Sequence, residues 1–535
     1  MDEHIMDPRE YPTGAANLIP ESGSTQSTPM TSIAPPFEQL RDLLTRSATL
    51  GEVGRLVAWD QETKMPKAGA TARAEQMALL AGLLHERGTS TELGELLGAC
   101  EEDSELTADE ATAADLREAR RDFDRATRLP TDLVTDLARV GSKSQHAWKE
   151  ARANSDFAIF QPWFEELLVL MRHKAECHGV APGGELYDNL IDEFEPGATA
   201  ASMEAVFSPL RPRLSALISE VAESRTPPSE APLHVHVPAE RQHEFGLFVL
   251  GAMGFDLDAG RLDITTHPFC QGVAAGDTRL TTRYNEERFA DALYGTMHEG
   301  GHGIYEQGLP KARHHGLPGS QATSLGMHES QSRLWENLVG RSRAFCTWAL
   351  PHAQRILGGA FENYGPDDLF RAVNSARPSF IRVEADESTY NLHVMLRFDI
   401  ERSLLRGDLE PADVPATWNE KVNEYLGIEV PNDAQGCLQD VHWSFGLFGY
   451  FPTYCMGNLY ASQLWEAAER DLGTLAPAIE RGEFSGLRGW LNEKVHAHGR
   501  RLSAAQICES ATGASLSADP MMRHLEGKIR PIYGI

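Results

Sequence analysis

The sequence predicts a mainly α-helical protein, one large domain with a small β element. Three observations carry that reading. From Phe37 onward Leu, Ala, Glu and Arg recur at helical spacing, with Met77, Leu80 and Leu84 on one stripe and long amphipathic patterns through residues 100–176. Strand-like segments are few. A chain of 535 residues with no internal repeat can bury a sizeable core in a single unit.

The elements follow in order. Residues 1–36 carry Pro8, Pro12, Pro20, Pro29, Pro35 and Pro36 amid Ser, Thr and Gly, with little to bury, and are expected to form a disordered tail ahead of a domain spanning 37–535. The stretch Pro227–Pro232 is short and reads as a loop, followed by a β-like segment at Leu233-His-Val-His-Val237. Asp277–Tyr284, rich in Thr and β-formers, predicts a strand, and Asn285-Glu-Glu-Arg288 predicts a helix start, with a capping Asn and acids in the first turn. Phe289, Leu293, Met297 and Ile304 then fall on one helical stripe. Leu317-Pro-Gly-Ser320 breaks the chain, and a new helical pattern runs from Ser324 through Leu325, Glu329, Leu334 and Leu338.

Charge and cysteine usage narrow the class. A net charge of −29 with a pI near 5.1 excludes nucleic acid as the main partner, since phosphate binding needs a basic surface. Seven scattered Cys without a CxxC pair suit reduced thiols. No apolar run approaches the ~20 residues of a membrane span. With no basic-then-apolar leader pattern after Met1, a cytoplasmic location is expected.

His298-Glu-Gly-Gly-His302 is the segment that carries chemistry. On a helix its two imidazoles sit one turn apart, about 6 Å along the axis, and can converge on one Zn²⁺ while Glu299 faces the water to be activated. Gly300 and Gly301 cost about 1 kcal/mol each against Ala, so they mark either a weak spot or a close approach of another backbone or of substrate. A third ligand must come from elsewhere. Glu306 shares the stripe but lies about 9 Å farther along the axis and reads as a solvated or outer acid. His314 and His315 sit in a Gly/Pro loop and read as solvated. Glu329, on the next helical pattern, is placed where an antiparallel helix returns, with a surface Glu as the competing reading.

Six motifs in order make the chain resemble the carboxypeptidase Taq family of metallocarboxypeptidases: His267-Pro-Phe269, Asp277-Thr-Arg-Leu-Thr281, the pentad, His328-Glu-Ser-Gln331, Ile381-Arg-Val-Glu-Ala-Asp386 and Gly436-Cys-Leu-Gln-Asp-Val-His-Trp443. Trp59–Pro66 and Tyr187–Gly197 also resemble it, and only the tail lies outside. The resemblance implies a helical, saddle-like fold with a deep groove, similar to neurolysin and angiotensin-converting enzyme. It implies a divalent metal (zinc, sometimes cobalt), commonly a homodimer, and stepwise release of C-terminal residues from peptides with broad specificity. It assigns His298, His302 and Glu329 as metal ligands and Glu299 as the base.

The remaining candidates follow from what such chemistry needs. A free C-terminal carboxylate suits a guanidinium fork, and Arg382 is the candidate, against a structural ion pair with Glu384 or Asp386. Arg279 is expected to brace its strand through Asp277. A developing oxyanion needs donors, for which His442, Tyr450 and Tyr454 stand forward, with Asp440 placed to fix an imidazole tautomer and Trp443 read as packing. An endo-acting oligopeptidase of the same fold and a non-catalytic binding protein are the alternatives.

Overall fold

The computed structural model describes residues 35–535. Residues 1–34, most of the expected tail, lie outside the described residues, and Pro36 opens the first helix, Pro36–Thr63. Proline suits that position because the N–H it lacks is one that a helix leaves unbonded.

The chain is mainly helical, as the 3.6-residue periodicity predicts, with one three-stranded sheet among the described residues. The strands are β1 (Gly260–Ile264), β2 (Cys270–Ala274) and β3 (Asp277–Thr282), in the order β1-β3-β2. β3 is the predicted strand, two residues shorter than expected. It pairs parallel with β1 (Leu262 opposite Leu280) and antiparallel with β2 (Cys270 opposite Leu280). Thr281 ties the His267–Phe269 motif to β3, since its Oγ1 accepts from Phe269 N at 2.8 Å. Arg279 does brace its strand, with Nε and Nη2 each 2.8 Å from the two oxygens of Asp277, and its guanidinium lies 4.3 Å from the Trp59 ring centroid.

Two local expectations are corrected. Leu233–Val237 is no strand: Ala231–Leu233 forms a 3₁₀ turn, and Val237 N donates to Glu286 O at 2.7 Å without any ladder around it. Pro232 and Pro238 on either side remove donors that a ladder would need. The pentad helix begins at Phe289 rather than just after Asn285. Asn285 spends its side chain in a turn, accepting from Glu287 N at 3.0 Å, and its carbonyl accepts from Gln242 Nε2 at 2.9 Å.

The Phe289–Gly308 helix contributes to the main core and packs against the sheet, the Ala239–Met253 helix and the Leu325–Arg333 helix. Its glycines permit that crowding. A Cβ on Gly300 would meet Leu250 Cδ2 at 2.5 Å, and one on Gly301 would meet the Gln331 carbonyl oxygen at 2.5 Å. Close approach of a second backbone is therefore the role of Gly301.

Leu325–Arg333 starts where the sequence places it. Ser324 caps it, accepting from Met327 N at 3.0 Å, and the buried carboxylate of Glu195 accepts from Gly326 N at 3.0 Å. It continues into a π-helical turn, Leu334–Gly340. The Pro452–Leu472 helix packs along it so tightly that a Cβ on Gly457 would lie 2.6 Å from Glu329 Cγ. A smaller apolar cluster of Leu40, Leu93, Leu97, Cys100, Leu116 and Ala119 joins the N-terminal helices. No helix among the described residues is long and apolar enough to cross a membrane, and all seven cysteines are free thiols.

Candidate metal centre

The two pentad imidazoles and Glu329 meet at one point. His298 Nε2 lies 3.6 Å and His302 Nε2 3.4 Å from the same oxygen, Glu329 Oε2, and the three donor atoms fall within 4.8 Å of one another. Each ring is held from behind. Glu336 Oε2 stands 3.0 Å from His298 Nδ1, and the His328 carbonyl stands 3.0 Å from His302 Nδ1. The second oxygen of Glu329 accepts from Arg333 Nε at 2.7 Å, and Arg333 also reaches Glu336 at 3.1 Å. The π-helical turn brings Glu336 round beneath His298, where Arg341 bonds its other oxygen at 3.1 Å.

The electrostatics follow from this packing. Burial opposes ionisation of Glu329, but Arg333 and the two imidazoles outweigh it and hold the carboxyl well below its ordinary range. Burial opposes Glu336 likewise, and Arg333, His298 and Arg341 hold it down at about 2. Burial takes His302 down to about 3, so its imidazole is neutral and can offer a lone pair. Glu299 is buried with no cation bonded to it, and burial pushes its carboxyl up to about 7. The donor set therefore fits a divalent metal: two imidazole nitrogens and one ionised carboxylate oxygen converge, and each nitrogen donor is oriented from the far side of its ring.

Beside Glu329 stands an aromatic and cationic wall. Tyr450 and Tyr454 have ring centroids 5.4 Å apart, and His442 lies 5.2 Å from Tyr450 and 4.6 Å from Phe451. Burial raises both tyrosine pKa values, leaving two neutral hydroxyls. Arg333 lies 4.3 Å from the Tyr390 centroid, and the Tyr390 hydroxyl accepts from Arg382 Nη1 at 2.8 Å. Arg382 is 4% exposed; its Nη2 donates to Asp440 Oδ1 at 2.7 Å, and Arg397 binds the other Asp440 oxygen from below.

A family model for the carboxypeptidase Taq (M32) metallopeptidases matches residues 39–529. The chain belongs to that family. It is 43% identical over 507 residues to thermostable carboxypeptidase 1 of Thermus thermophilus, covering 93% of this chain and 99% of that protein. Carboxypeptidase 1 of Bacillus subtilis is 38% identical, with 92% and 97% covered. The crystal structure of the M32 carboxypeptidase from Deinococcus radiodurans R1 superposes with a TM-score of 0.90 at 39% identity, covering 94% of this chain and 100% of that one.

In this carboxypeptidase Taq family member the structure brings His298, Glu299, His302 and Glu329 together, with Tyr450 and Tyr454 beside them. Two details depart from expectation. Arg382 pairs with Asp440 rather than with Glu384 or Asp386, because Asp386 is spent on the backbone N–H groups of Arg377, Ser388 and Thr389. Asp440, held by two arginines, does not fix the His442 tautomer: it stays 3.8 Å from His442 Nδ1, which is buried without a partner. Glu306 proves to be an outer acid rather than a solvated one: it pairs with Lys311 and with His328 Nε2 at 2.9 Å. Against burial, those two partners hold its carboxyl well below the ordinary range. Sequence reasoning missed Glu336 and Arg333. Their only signal is spacing, seven and four residues beyond Glu329, and that has meaning only once the π-helical turn is known.

Proposed function

We propose that this chain is a zinc-dependent carboxypeptidase of broad specificity, releasing residues one at a time from peptides with a free C-terminus. The observation that carries the reading is the convergence of His298 Nε2, His302 Nε2 and Glu329 Oε2, each oriented by a further contact. Zinc bound by those three residues supplies Lewis acidity and activates water, and cobalt suits the same donors. Glu299, next to His298 and with its carboxyl pushed up to about 7 by burial, would take a proton from the attacking water and pass it to the leaving amine. Tyr450 and Tyr454 offer hydroxyls, and His442 an imidazole, to the oxyanion that develops on the scissile carbonyl.

Arg382 binds the substrate's terminal carboxylate. Two buried arginines share one carboxylate at Asp440, so the wall carries one positive charge more than it neutralises and favours an anionic guest. Residues 1–36 lie outside the catalytic domain of 37–535 in this reading. The protein is cytoplasmic, in keeping with seven free thiols, and a homodimer. Support for the dimer comes from the Ala70–Gly88 helix, which buries none of its residues and, with the Pro36–Thr63 helix it packs on, leaves Val53, Leu56, Leu79 and Leu83 exposed.

The test is metal analysis of purified protein together with C-terminal ladder sequencing of a free-acid peptide, with and without chelator. One bound zinc and release of single C-terminal residues, both abolished by chelator, is the expected result. His298→Ala and Glu329→Ala lose the metal. Wild-type zinc affinity in Glu329→Ala would overturn the third-ligand assignment.

A further inference from the structure

Behind His302 runs a chain of side chains that the catalytic reading does not use: Lys311, Glu306 and His328. We propose that His328 is a positioning residue that sets the tautomer of His302, and that Glu306, held by Lys311, sets the tautomer of His328. The inference rests on the reading of His302 as a metal ligand.

The direction of each hydrogen bond can be worked out from the outer end. Lys311 Nζ carries only donors and pairs with Glu306 Oε2, so that oxygen accepts. Glu306 Oε1 lies 2.9 Å from His328 Nε2 and also accepts, so the His328 hydrogen is on Nε2. The His328 carbonyl, which can only accept, lies 3.0 Å from His302 Nδ1, so that nitrogen carries the hydrogen. His328 Nδ1 lies 2.6 Å from the same nitrogen and therefore accepts from it. His302 Nδ1 shares its hydrogen between two acceptors on one residue. The lone pair of His302 is left on Nε2, which faces Glu329 Oε2 at 3.4 Å.

The ring of His328 is itself clamped. Its centroid lies 4.5 Å from that of His302 and 5.3 Å from that of the buried Tyr305. Glu306 is lodged against β2, where a Cβ on Gly272 would sit 2.1 Å from Glu306 Oε2. The two ligand histidines are thus oriented by different means. His298 has a carboxylate, Glu336, directly behind it, whereas His302 has its carboxylate one imidazole farther away.

The polarity of this relay makes an isosteric change informative. In Glu306→Gln, Lys311 keeps the amide oxygen on its side and turns the amide NH₂ toward His328 Nε2. That nitrogen must then accept, the His328 hydrogen moves to Nδ1, and His302 faces a donor where it had an acceptor. In His328→Asn the side-chain oxygen lies near the former Nδ1 and still accepts from His302. In His328→Gln the polar atoms lie near the former Nε2 and the acceptor is lost.

The measurement is the Zn²⁺ dissociation constant of each full-length variant, by competition with a chelator, alongside the melting temperature of the metal-free protein. Glu306→Gln and His328→Gln are expected to weaken Zn²⁺ binding about 10–100-fold. His328→Asn is expected to bind as the wild type does, whatever the melting temperatures. Wild-type affinity in Glu306→Gln, or equal losses in His328→Asn and His328→Gln, would overturn the relay. His302→Ala separates the two levels of the argument. If it binds Zn²⁺ like the wild type, the ligand reading itself fails. If it loses the metal while Glu306→Gln keeps it, only the relay is wrong.

Discussion

Gly301 lies directly against the backbone of Gln331: a Cβ there would sit 2.5 Å from the Gln331 carbonyl oxygen and 2.7 Å from Ser332 Cα. The obstacle is main chain, so no rotamer change relieves it. This contact sets how closely the Leu325–Arg333 helix approaches the Phe289–Gly308 helix, and so how far Glu329 stands from the imidazoles. Gly301→Ala is expected to destabilise the protein by about 1–3 kcal/mol through overpacking and to weaken zinc binding. Urea unfolding of the metal-free protein and a zinc titration check both parts. A variant that binds zinc normally would show that the helix spacing does not control the site.

Glu299 should matter to turnover and not to metal retention. Glu299→Gln keeps the shape of the side chain and removes the base, so zinc content stays stoichiometric while kcat falls by about 10²–10⁴-fold. Metal analysis and steady-state kinetics on the same preparation distinguish this from a folding defect. A fall in kcat matched by a loss of zinc would reassign Glu299 to holding the site together.

Arg382 gives a test of exo- against endo-action. If it binds the terminal carboxylate, Arg382→Ala costs about 1.5–3 kcal/mol in kcat/KM on free-acid peptides. C-terminally amidated peptides should be poor substrates for the wild type and scarcely worse for the variant, with zinc content unchanged. Equal losses on acids and amides would reduce Arg382 to its ion pair with Asp440. Efficient internal cleavage of amidated peptides by the wild type would favour the oligopeptidase alternative.

Asp440 makes the wall sensitive to acid. Burial opposes its ionisation, but Arg382 and Arg397 outweigh that and depress its pKa below the ordinary 3.8. A depressed carboxylate pKa contributes stability that is fully present above the unfolded value and is lost as the pH falls below it. Asp440→Asn leaves two buried arginines uncompensated and should cost about 3–5 kcal/mol at neutral pH. The gap to the wild type should narrow below about pH 4. Chemical denaturation of both proteins from pH 7 downward reads it, and a gap independent of pH would deny the charge coupling.

What the sequence makes legible here is what is local. The pentad, the break at Leu317–Ser320 and the helical pattern after Ser324 depend on residues within a turn or two of each other, and all stand where periodicity puts them. Glu329 needed more than spacing, because its approach to the two imidazoles runs through the Gly301–Gln331 contact. Arg382 and Asp440 are 58 residues apart, and no pattern along the chain announces their pairing. β1 and β2, five residues each, take their stability from β3 in the middle rather than from any alternation of their own. Leu233–Val237 alternates as a strand does and still is none, since flanking prolines leave it nothing to pair with.

The order of these parts along the chain bears on how the protein is made. His298, His302 and Glu329, with the His328 and Glu336 that orient two of them, occupy one uninterrupted stretch, whereas Arg382, Asp440 and Tyr454 follow it. The link from His302 to His328 closes a loop of only 26 residues, a small entropic demand. During synthesis His298, His302 and Glu329 leave the ribosome before Arg382, Asp440 and Tyr454. The convergence of the two imidazoles on Glu329 is therefore assembled from a short segment, whereas the aromatic and cationic wall beside it waits for segments translated later.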